Sequence, residues 1–306
     1  MRVAIIGRSE ILYDTAQLLR EAGHCIVCIV TAREAPEYTR TADDFKKLAC
    51  EWQIPFAMGA RIEEHRTLIQ AARADIGVSF NFVGVVPGSV LQLCTLGILN
   101  AHGGDLPRYR GNACQAWAIL NGEPRIGLCI HKMVGGELDS GDIIARDHLE
   151  IDNTTKVGKV WEWMGNRIPQ LFLEALNRLA EAPNYVLEVQ PKDGGSALRC
   201  YPRKPEDGRI DWSQDASHIL RLINASSKPY AGAFCDFMDQ KFVVWDAGLV
   251  PEFENFCAVP GQVTRIGDGF VDVACGKGKL RILMAEYGGE VASPETWINS
   301  IRKRLT

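Results

Sequence analysis

The sequence predicts an α/β fold: a Rossmann-like, mostly parallel sheet with helices on both faces, followed by a smaller β-rich domain of the open-barrel, OB-like kind. Three observations carry that prediction. Through the first half of the chain, short runs rich in Val and Ile alternate with segments of helical period, the pattern of repeated βαβ units. Residues 191–212 are rich in Gly, Pro and charge, as in an exposed connector. Beyond them, strand-like runs are separated by short turn signals. The expected division is therefore an α/β domain over 1–190, a connector over 191–212, and a β-rich domain over 213–306. With 306 residues, 46% hydrophobic and 24% charged, the chain can bury the cores of one large domain or two ordinary ones.

Each element follows in order. MRVAIIG reads as a buried strand ending at Gly7, SEILYDTAQLLREAGH as a helix with Ser9 at its N-cap and Gly23 past its end, and HCIVCIVT as a second strand. The pattern continues with a helix through ADDFKKLACEWQ, a strand at IPFAM and a helix through RIEEHRTLIQAARA. DIGVSF and GILNAH are strands with PGSVLQLC between them, and IGLCIHKM and DIIARDHLEI are two more. Residues 153–182 form a long helical stretch, with a bend expected near Pro169. In the last third, ASHILRLINA suits a helix. AFCDFMDQKFVVWDAGLV suits two strands around a turn at Met238, Asp239 and Gln240, and two further turns are expected at Gly267–Gly269 and Gly276–Gly278.

Composition excludes several classes. The 34 Lys and Arg against 38 Asp and Glu, a net charge of −4, give no surplus of positive charge for a phosphate backbone. No stretch approaches the ~20 apolar residues of a membrane span, and MRVAIIGRSE has no leader pattern, so the expected location is the cytoplasm without membrane insertion. The ten cysteines are scattered through apolar segments and suggest reduced thiols rather than a disulfide framework. Cys25 and Cys28 form a C-x-x-C inside a β-like run, where positions three apart face opposite sides, so they read as packed strand residues.

The chemistry gathers in LNAHGGDLPRYRG, residues 99–111. Alternation along a strand puts Asn100 and His102 on one face, at the carboxyl end where ligands collect in an open parallel sheet. On spacing alone, a strand-closing Asn and a hydrogen-bonded surface His explain the pair equally well. The polar loop that follows, and Asp139 in LDSGDII just before a Gly-containing turn, favour chemistry. A carboxylate supports an imidazole base and a carboxamide donates to an oxyanion, so the three make an acyl-transfer set without a nucleophilic Ser or Cys. The remaining histidines, His24, His65, His131, His148 and His218, lie on turns, helices or strands and are expected outside any site.

N-x-H followed by L-P-x-Y-R-G, with L-D-S-G-D-I downstream, resembles the folate-dependent formyltransferases. The pattern is nearest their sugar branch, which includes the formyltransferase module of the lipid A aminoarabinose enzyme, and it is related to methionyl-tRNA formyltransferases. The resemblance implies that Asn100, His102 and Asp139 are catalytic. It implies 10-formyltetrahydrofolate as formyl donor, its pterin lying along Phe80, Phe82, Val83, Val85, Val86 and Leu138, and no metal. It implies a primary-amine acceptor, expected to be a nucleotide-linked amino sugar used in surface polysaccharide or lipopolysaccharide synthesis. Asp105, Arg108, Tyr109 and Arg110 are the candidate acceptor contacts beside the catalytic strand; Asp105 suits either a sugar hydroxyl or a turn cap. Tyr201, Arg203 and Lys204 suit a pyrophosphate and base, or simply a solvated connector. Many relatives carry Ser-Leu-Leu-Pro where this chain has Gly104-Asp105-Leu106-Pro107. Methionyl-tRNA formylation and formyltetrahydrofolate hydrolysis are the alternatives. Against the former, REAPEYTRTADD, in the place of a basic tRNA-gripping insertion, holds two arginines and four acids. A homodimer is compatible with all of these readings.

Overall fold

The computed structural model describes residues 1–192, 194–251 and 255–306. Its contacts divide the chain into two units. The first comprises Met1–Cys114, Ile126–Leu149 and Trp161–Cys200; the second comprises Gln115–Arg125, Glu150–Val160 and Tyr201–Thr306.

The first unit is built on a seven-stranded sheet. Its strands are β1 (Arg2–Gly7), β2 (Cys25–Thr31), β3 (Phe56–Met58), β4 (Ile76–Phe80) and β5 (Ile98–His102), then β7 (Arg125–Lys132) and β8 (Ile143–Glu150), with a short β6 (Tyr109–Gly111) between them in sequence. The order is β3-β2-β1-β4-β5-β7-β8. β1 to β5 are mutually parallel, whereas β7 runs antiparallel to β5. The interior residues of β1 and β4 are buried without alternation, as expected when both faces are covered. The coverings include α1 (Glu10–Glu21), α2 (Ala42–Glu51), α3 (Arg66–Ala72) and the single turn α4 (Gly88–Leu91). Ala4, Ile6 and Val30 of the sheet pack with Ile69, Ala72, Val90 and Leu91.

Ser9 occupies the expected N-cap position of α1, at φ 88°, and its hydroxyl makes no cap hydrogen bond. Thr41 does cap α2, through a reciprocal pair with Asp44. Pro169 lies inside one continuous helix, α6 (Val157–Glu181), which follows α5 (Cys114–Asn121) in the chain. Gly7 earns its place sterically: at φ +141° its Cβ would strike the carbonyl of Phe80, and that carbonyl accepts from the Arg8 N–H at 3.1 Å.

The unit boundaries differ from the expected cuts at 190 and 212. Residues 198–200 form β9 (Leu198–Cys200), which pairs in parallel with β6 and so belongs to the first unit. Residues 115–125 and 150–160 belong to the second: Leu120 packs on its core, Arg221 donates to the Leu120 carbonyl at 2.9 Å, and Asn224 donates to the Asn153 carbonyl at 2.7 Å. The rest of that unit is α7 (Ala216–Ser226) and an antiparallel sheet of β10 (Ala233–Phe237), β11 (Gln240–Leu249), β12 (Val263–Gly267), β13 (Phe270–Ala274), β14 (Lys279–Tyr287) and β15 (Glu290–Ala292). Met238 and Asp239, both at positive φ, make the tight β10–β11 turn that matches strand twist. The core joins Ile219 and Ile223 of α7 to Phe237, Phe242, Val271 and Ile282, with Tyr287 and Trp297 against the phenylalanines.

Among the described residues the cysteines are unpaired by disulfides. Cys25 is exposed and Cys28 buried on opposite sides of β2, and burial pushes the Cys28 thiol up to about 12.

Candidate active site

The site is set by the register of three strands. β5 lies between β4 and β7, and Asn100 stands beside Ser79 on one side and opposite His131 on the other. Two residues on, His102 is opposite Cys129. Directly opposed residues on antiparallel strands lie close enough for side-chain contact. Asn100 Nδ2 accordingly lies 3.2 Å from His131 Nε2. The His131 ring donates Nδ1–H to the carbonyl of Lys132 at 3.0 Å, which leaves Nε2 as the ring nitrogen facing the Asn100 amide.

Asp139 enters from the turn between β7 and β8. Its φ of +51° is the left-handed conformation, and Gly141 keeps the turn pressed on β7, since a Cβ there would overlap the Lys132 carbonyl. This backbone aims the carboxylate inward. Oδ2 accepts from the Gly111 N–H at 2.9 Å and lies 3.5 Å from His102 Nδ1; Oδ1 lies 3.4 Å from His131 Nε2. Asp139 is thus held between two imidazoles whose rings meet edge to face, centroids 6.3 Å apart. Burial alone would push its carboxyl up. The charge of His102, the His131 hydrogen bond and the Gly111 N–H outweigh burial and hold it well below the usual carboxylate range.

The other edge of His102 is also engaged. Nε2–H donates to the Tyr109 carbonyl at 2.6 Å, and the ring is buried. With that bond in place, Nδ1 is the ring nitrogen that faces Asp139 Oδ2, so a proton held there lies between the ring and the carboxylate. Gly104 is the residue that leaves room: a Cβ there would meet both His102 Nε2 and the Tyr109 carbonyl.

The structure brings Asn100, His102 and Asp139 together, and it adds His131, which was expected outside any site. The candidate folate residues differ among themselves. Phe80 and Val86 are buried and Phe82 packs on the same core, while Val83 and Val85 are exposed and Leu138 is half-buried. Of the acceptor candidates, Asp105 turns to β8, where Oδ1 meets Arg146 Nη1 at 2.5 Å and His148 Nε2 at 3.3 Å. Arg146 continues to the Leu106 carbonyl at 2.6 Å and to Glu188 at 2.9 Å. Tyr109 is buried and offers its carbonyl to His102, Arg108 lies over the Tyr109 ring, and Arg110 donates to Gln190 at 2.8 Å.

In the second unit, Arg203 donates to the Asp207 carbonyl at 3.0 Å and to Ser226 Oγ at 3.2 Å, and lies over the Trp117 ring. Lys204 opens a short turn, with its N–H on Asp207 Oδ2 at 2.7 Å. Tyr201 accepts from Trp117 Nε1 through its carbonyl at 2.9 Å, and its ring is exposed.

Residues 1–176 match the formyl transferase family model, and residues 203–302 match the model of the formyl transferase C-terminal domain. The chain belongs to the formyl transferase family. It is 30% identical over 301 residues to a methionyl-tRNA formyltransferase of Citrifermentans bemidjiense, covering 96% of this chain and 91% of that protein. It is 26% identical over 290 residues to the bifunctional polymyxin resistance protein ArnA of Wigglesworthia glossinidia brevipalpis, covering 94% of this chain and 43% of that protein. Its fold is shared with an N-formyltransferase from Helicobacter canadensis, solved with folinic acid and dTDP-3-aminofucose, at a TM-score of 0.69 and 15% identity over 92% of this chain and 98% of that one.

For this formyltransferase, sequence reasoning missed three residues that shape the site: His131, Arg146 and Gln190. His131 alone had a usable signal, a polar ring closing the apolar run of IGLCIHKM. Its relevance depends on an antiparallel pairing with β5 that alternation does not encode.

Proposed function

We propose that this formyltransferase moves a formyl group from 10-formyltetrahydrofolate to the primary amine of a nucleotide-linked amino sugar, in the cytoplasm, for surface polysaccharide or lipopolysaccharide synthesis. The observation that carries the reading is the Asn100–His102–Asp139 cluster, which contains a carboxamide donor and a carboxylate–imidazole acceptor. Such a set suits direct transfer to an amine. The donor supplies an activated formyl carbon when bound. Exposed Val83 and Val85 on the non-helical segment after β4 fit the flat face of a pterin. Asn100 Nδ2 donates to the negative charge that builds on the formyl oxygen, and such donors are worth ~3 to 4 kcal/mol at the transition state. The proton lost by the attacking amine passes to the unit formed by His102 Nδ1 and Asp139, whose ionised carboxylate stabilises the charged ring, and is returned to the folate N10 as the formyl C–N10 bond breaks and tetrahydrofolate leaves.

For the acceptor, the resemblance of the N-x-H, L-P-x-Y-R-G and L-D-S-G-D-I pattern to the sugar branch and the acidic 33–44 segment support a sugar over a nucleic acid. A second reading, methionyl-tRNA, is favoured by the Citrifermentans relative. The test sets dTDP-, UDP- and GDP-linked 3-amino and 4-amino sugars against charged initiator tRNA, each at two salt concentrations. At least one sugar should be formylated, with stoichiometric tetrahydrofolate release and mild salt dependence. A tRNA grip of 6 to 10 phosphate contacts would instead weaken by about a thousandfold or more between ~50 and 200 mM salt. Formylation of tRNA together with failure across the sugar panel would reverse the assignment. Formate release without any acceptor would point to hydrolysis.

A further inference from the structure

Asp139 must hold a left-handed backbone while its carboxylate points inward, and something has to fix that turn from behind. Gln190, buried at 2% exposure and 51 residues downstream, does so. Its Nε2 donates to the carbonyls of Asp139 at 3.0 Å and Gly141 at 2.6 Å, and its backbone N–H donates to Asp142 Oδ1 at 3.3 Å. Its Oε1 accepts from Arg110 Nη2 at 2.8 Å. Arg110 is the middle residue of β6, the strand whose Tyr109 carbonyl holds His102 and whose Gly111 N–H holds Asp139. One carboxamide therefore ties the turn that carries the carboxylate to the strand that carries the anchors of both catalytic side chains.

The chemistry of the position is narrow. Two donors and one acceptor are all used, and only a primary amide offers that combination at this length. Glutamate would keep Arg110 but set a carboxylate against two carbonyls. Methionine would fill the volume and strand two carbonyls and a guanidinium edge, in a place where Arg110 Nε already lacks a partner among the described residues. Neither substitution touches a reacting atom.

We propose that Gln190 is a positioning residue for formyl transfer: it sets the distance and orientation between Asp139 and His102 by clamping the Asp139–Gly141 turn to Arg110. This rests on the assignment of Asp139 and His102 to catalysis. A displacement of about 1 Å in such a pair costs up to ~100-fold in rate. Gln190→Met and Gln190→Glu should therefore lower kcat by about 10- to 100-fold, with KM for donor and amine changed by less than about threefold.

The experiment compares wild type, Gln190→Met, Gln190→Glu, Asp139→Asn and the double variant Gln190→Met/Asp139→Asn, with thermal unfolding followed in parallel. If Gln190 acts through Asp139, adding Gln190→Met to Asp139→Asn should cost less than about threefold, because the geometry it protects has lost its purpose. A readout independent of turnover is the imidazole nitrogen resonances of His102 and His131 in folded Gln190→Glu, which should shift relative to wild type. Wild-type kcat in both Gln190 variants, with Asp139→Asn inactive, would overturn the inference and leave the catalytic assignment standing. A full multiplicative loss in the double variant would also overturn it, showing that Gln190 acts by another route. Near-normal turnover in Asp139→Asn would instead sink the catalytic assignment itself. Should Gln190→Met fail to fold, the Gln190→Glu kinetics and resonances decide alone.

Discussion

Replacing His131 by phenylalanine isolates what the unexpected fourth residue contributes. The ring volume is kept, and three polar relations are removed: the contact of Nε2 with the Asn100 amide at 3.2 Å, its contact with Asp139 Oδ1 at 3.4 Å, and the donor to the Lys132 carbonyl at 3.0 Å. The last is an ordinary neutral hydrogen bond and should cost about 1 kcal/mol of stability. The Asp139 contact matters more, because Oδ2 keeps Gly111 and His102 while Oδ1 loses its imidazole in a buried setting. Hydrogen bonds to charged groups are worth ~1.5 to 3 kcal/mol, which corresponds to about 10- to 100-fold in kcat if the pair is needed at the transition state. With burial less opposed, the Asp139 carboxyl should also move up toward its ordinary range, carrying the acidic limb of the rate profile upward with it. Initial rates of tetrahydrofolate release at saturating donor and amine, across pH, measure both effects. A folded His131→Phe protein turning over within about twofold of wild type would refute the reasoning and reduce His131 to a packing residue.

Three other outcomes are expected. Asn100→Ala should lower kcat by roughly 100-fold or more while leaving donor affinity nearly unchanged, since the amide acts on charge that appears only during transfer; a pure rise in donor KM would contradict this. Asp139 carries a depressed folded-state pKa, so its stabilising contribution is complete above the unfolded carboxyl value near ~4 and is lost as pH falls through the lower folded value. Wild type should therefore lose more unfolding free energy than Asp139→Asn between pH 7 and pH 3, and parallel curves in denaturant titrations would disprove the sign. Arg203→Ala should cost about 2 kcal/mol of stability through its contacts with Asp207, Ser226 and Trp117, without altering nucleotide-sugar affinity; calorimetric titration showing weakened binding would place Arg203 at the ligand site.

The order of elements was legible because it depends on local patterns. β1, α1 and β2 follow from a Val- and Ile-rich run, an amphipathic period and a second run, and the hairpin turn at Met238 and Asp239 follows from two short polar-flanked strands. What periodicity lacks is direction and partner. IGLCIHKM was recognisable as a strand, yet nothing in its alternation says that β7 runs against β5, or that residues 198–200 pair with β6. The assignment of 115–125 and 150–160 to the second unit was hidden for the same reason: contacts such as Arg221 to Leu120 span 101 residues.

The same division runs through the site and accounts for the residues Gly104-Asp105 that follow β5. Asn100 and His102 face one way because strands alternate, so they could be read from the six letters GILNAH. The groups that hold them come from elsewhere in the chain, and Gly104-Asp105 makes sense only beside those groups. Gly104 has no Cβ because one would press on His102 Nε2 and the Tyr109 carbonyl, the two atoms whose bond fixes the ring. Asp105 is answered on β8 by Arg146 and His148, and Arg146 in turn grips the Leu106 carbonyl. A leucine at 105 would leave Arg146, with only 15% of its side chain exposed, to Glu188 and the Leu106 carbonyl, and weakening the pairing of a charge at that depth is costly. Gly104, Asp105, Arg146 and His148 are thus one matched set that braces the loop leading to Tyr109. In this reading the acidic residue after β5 serves the geometry of His102.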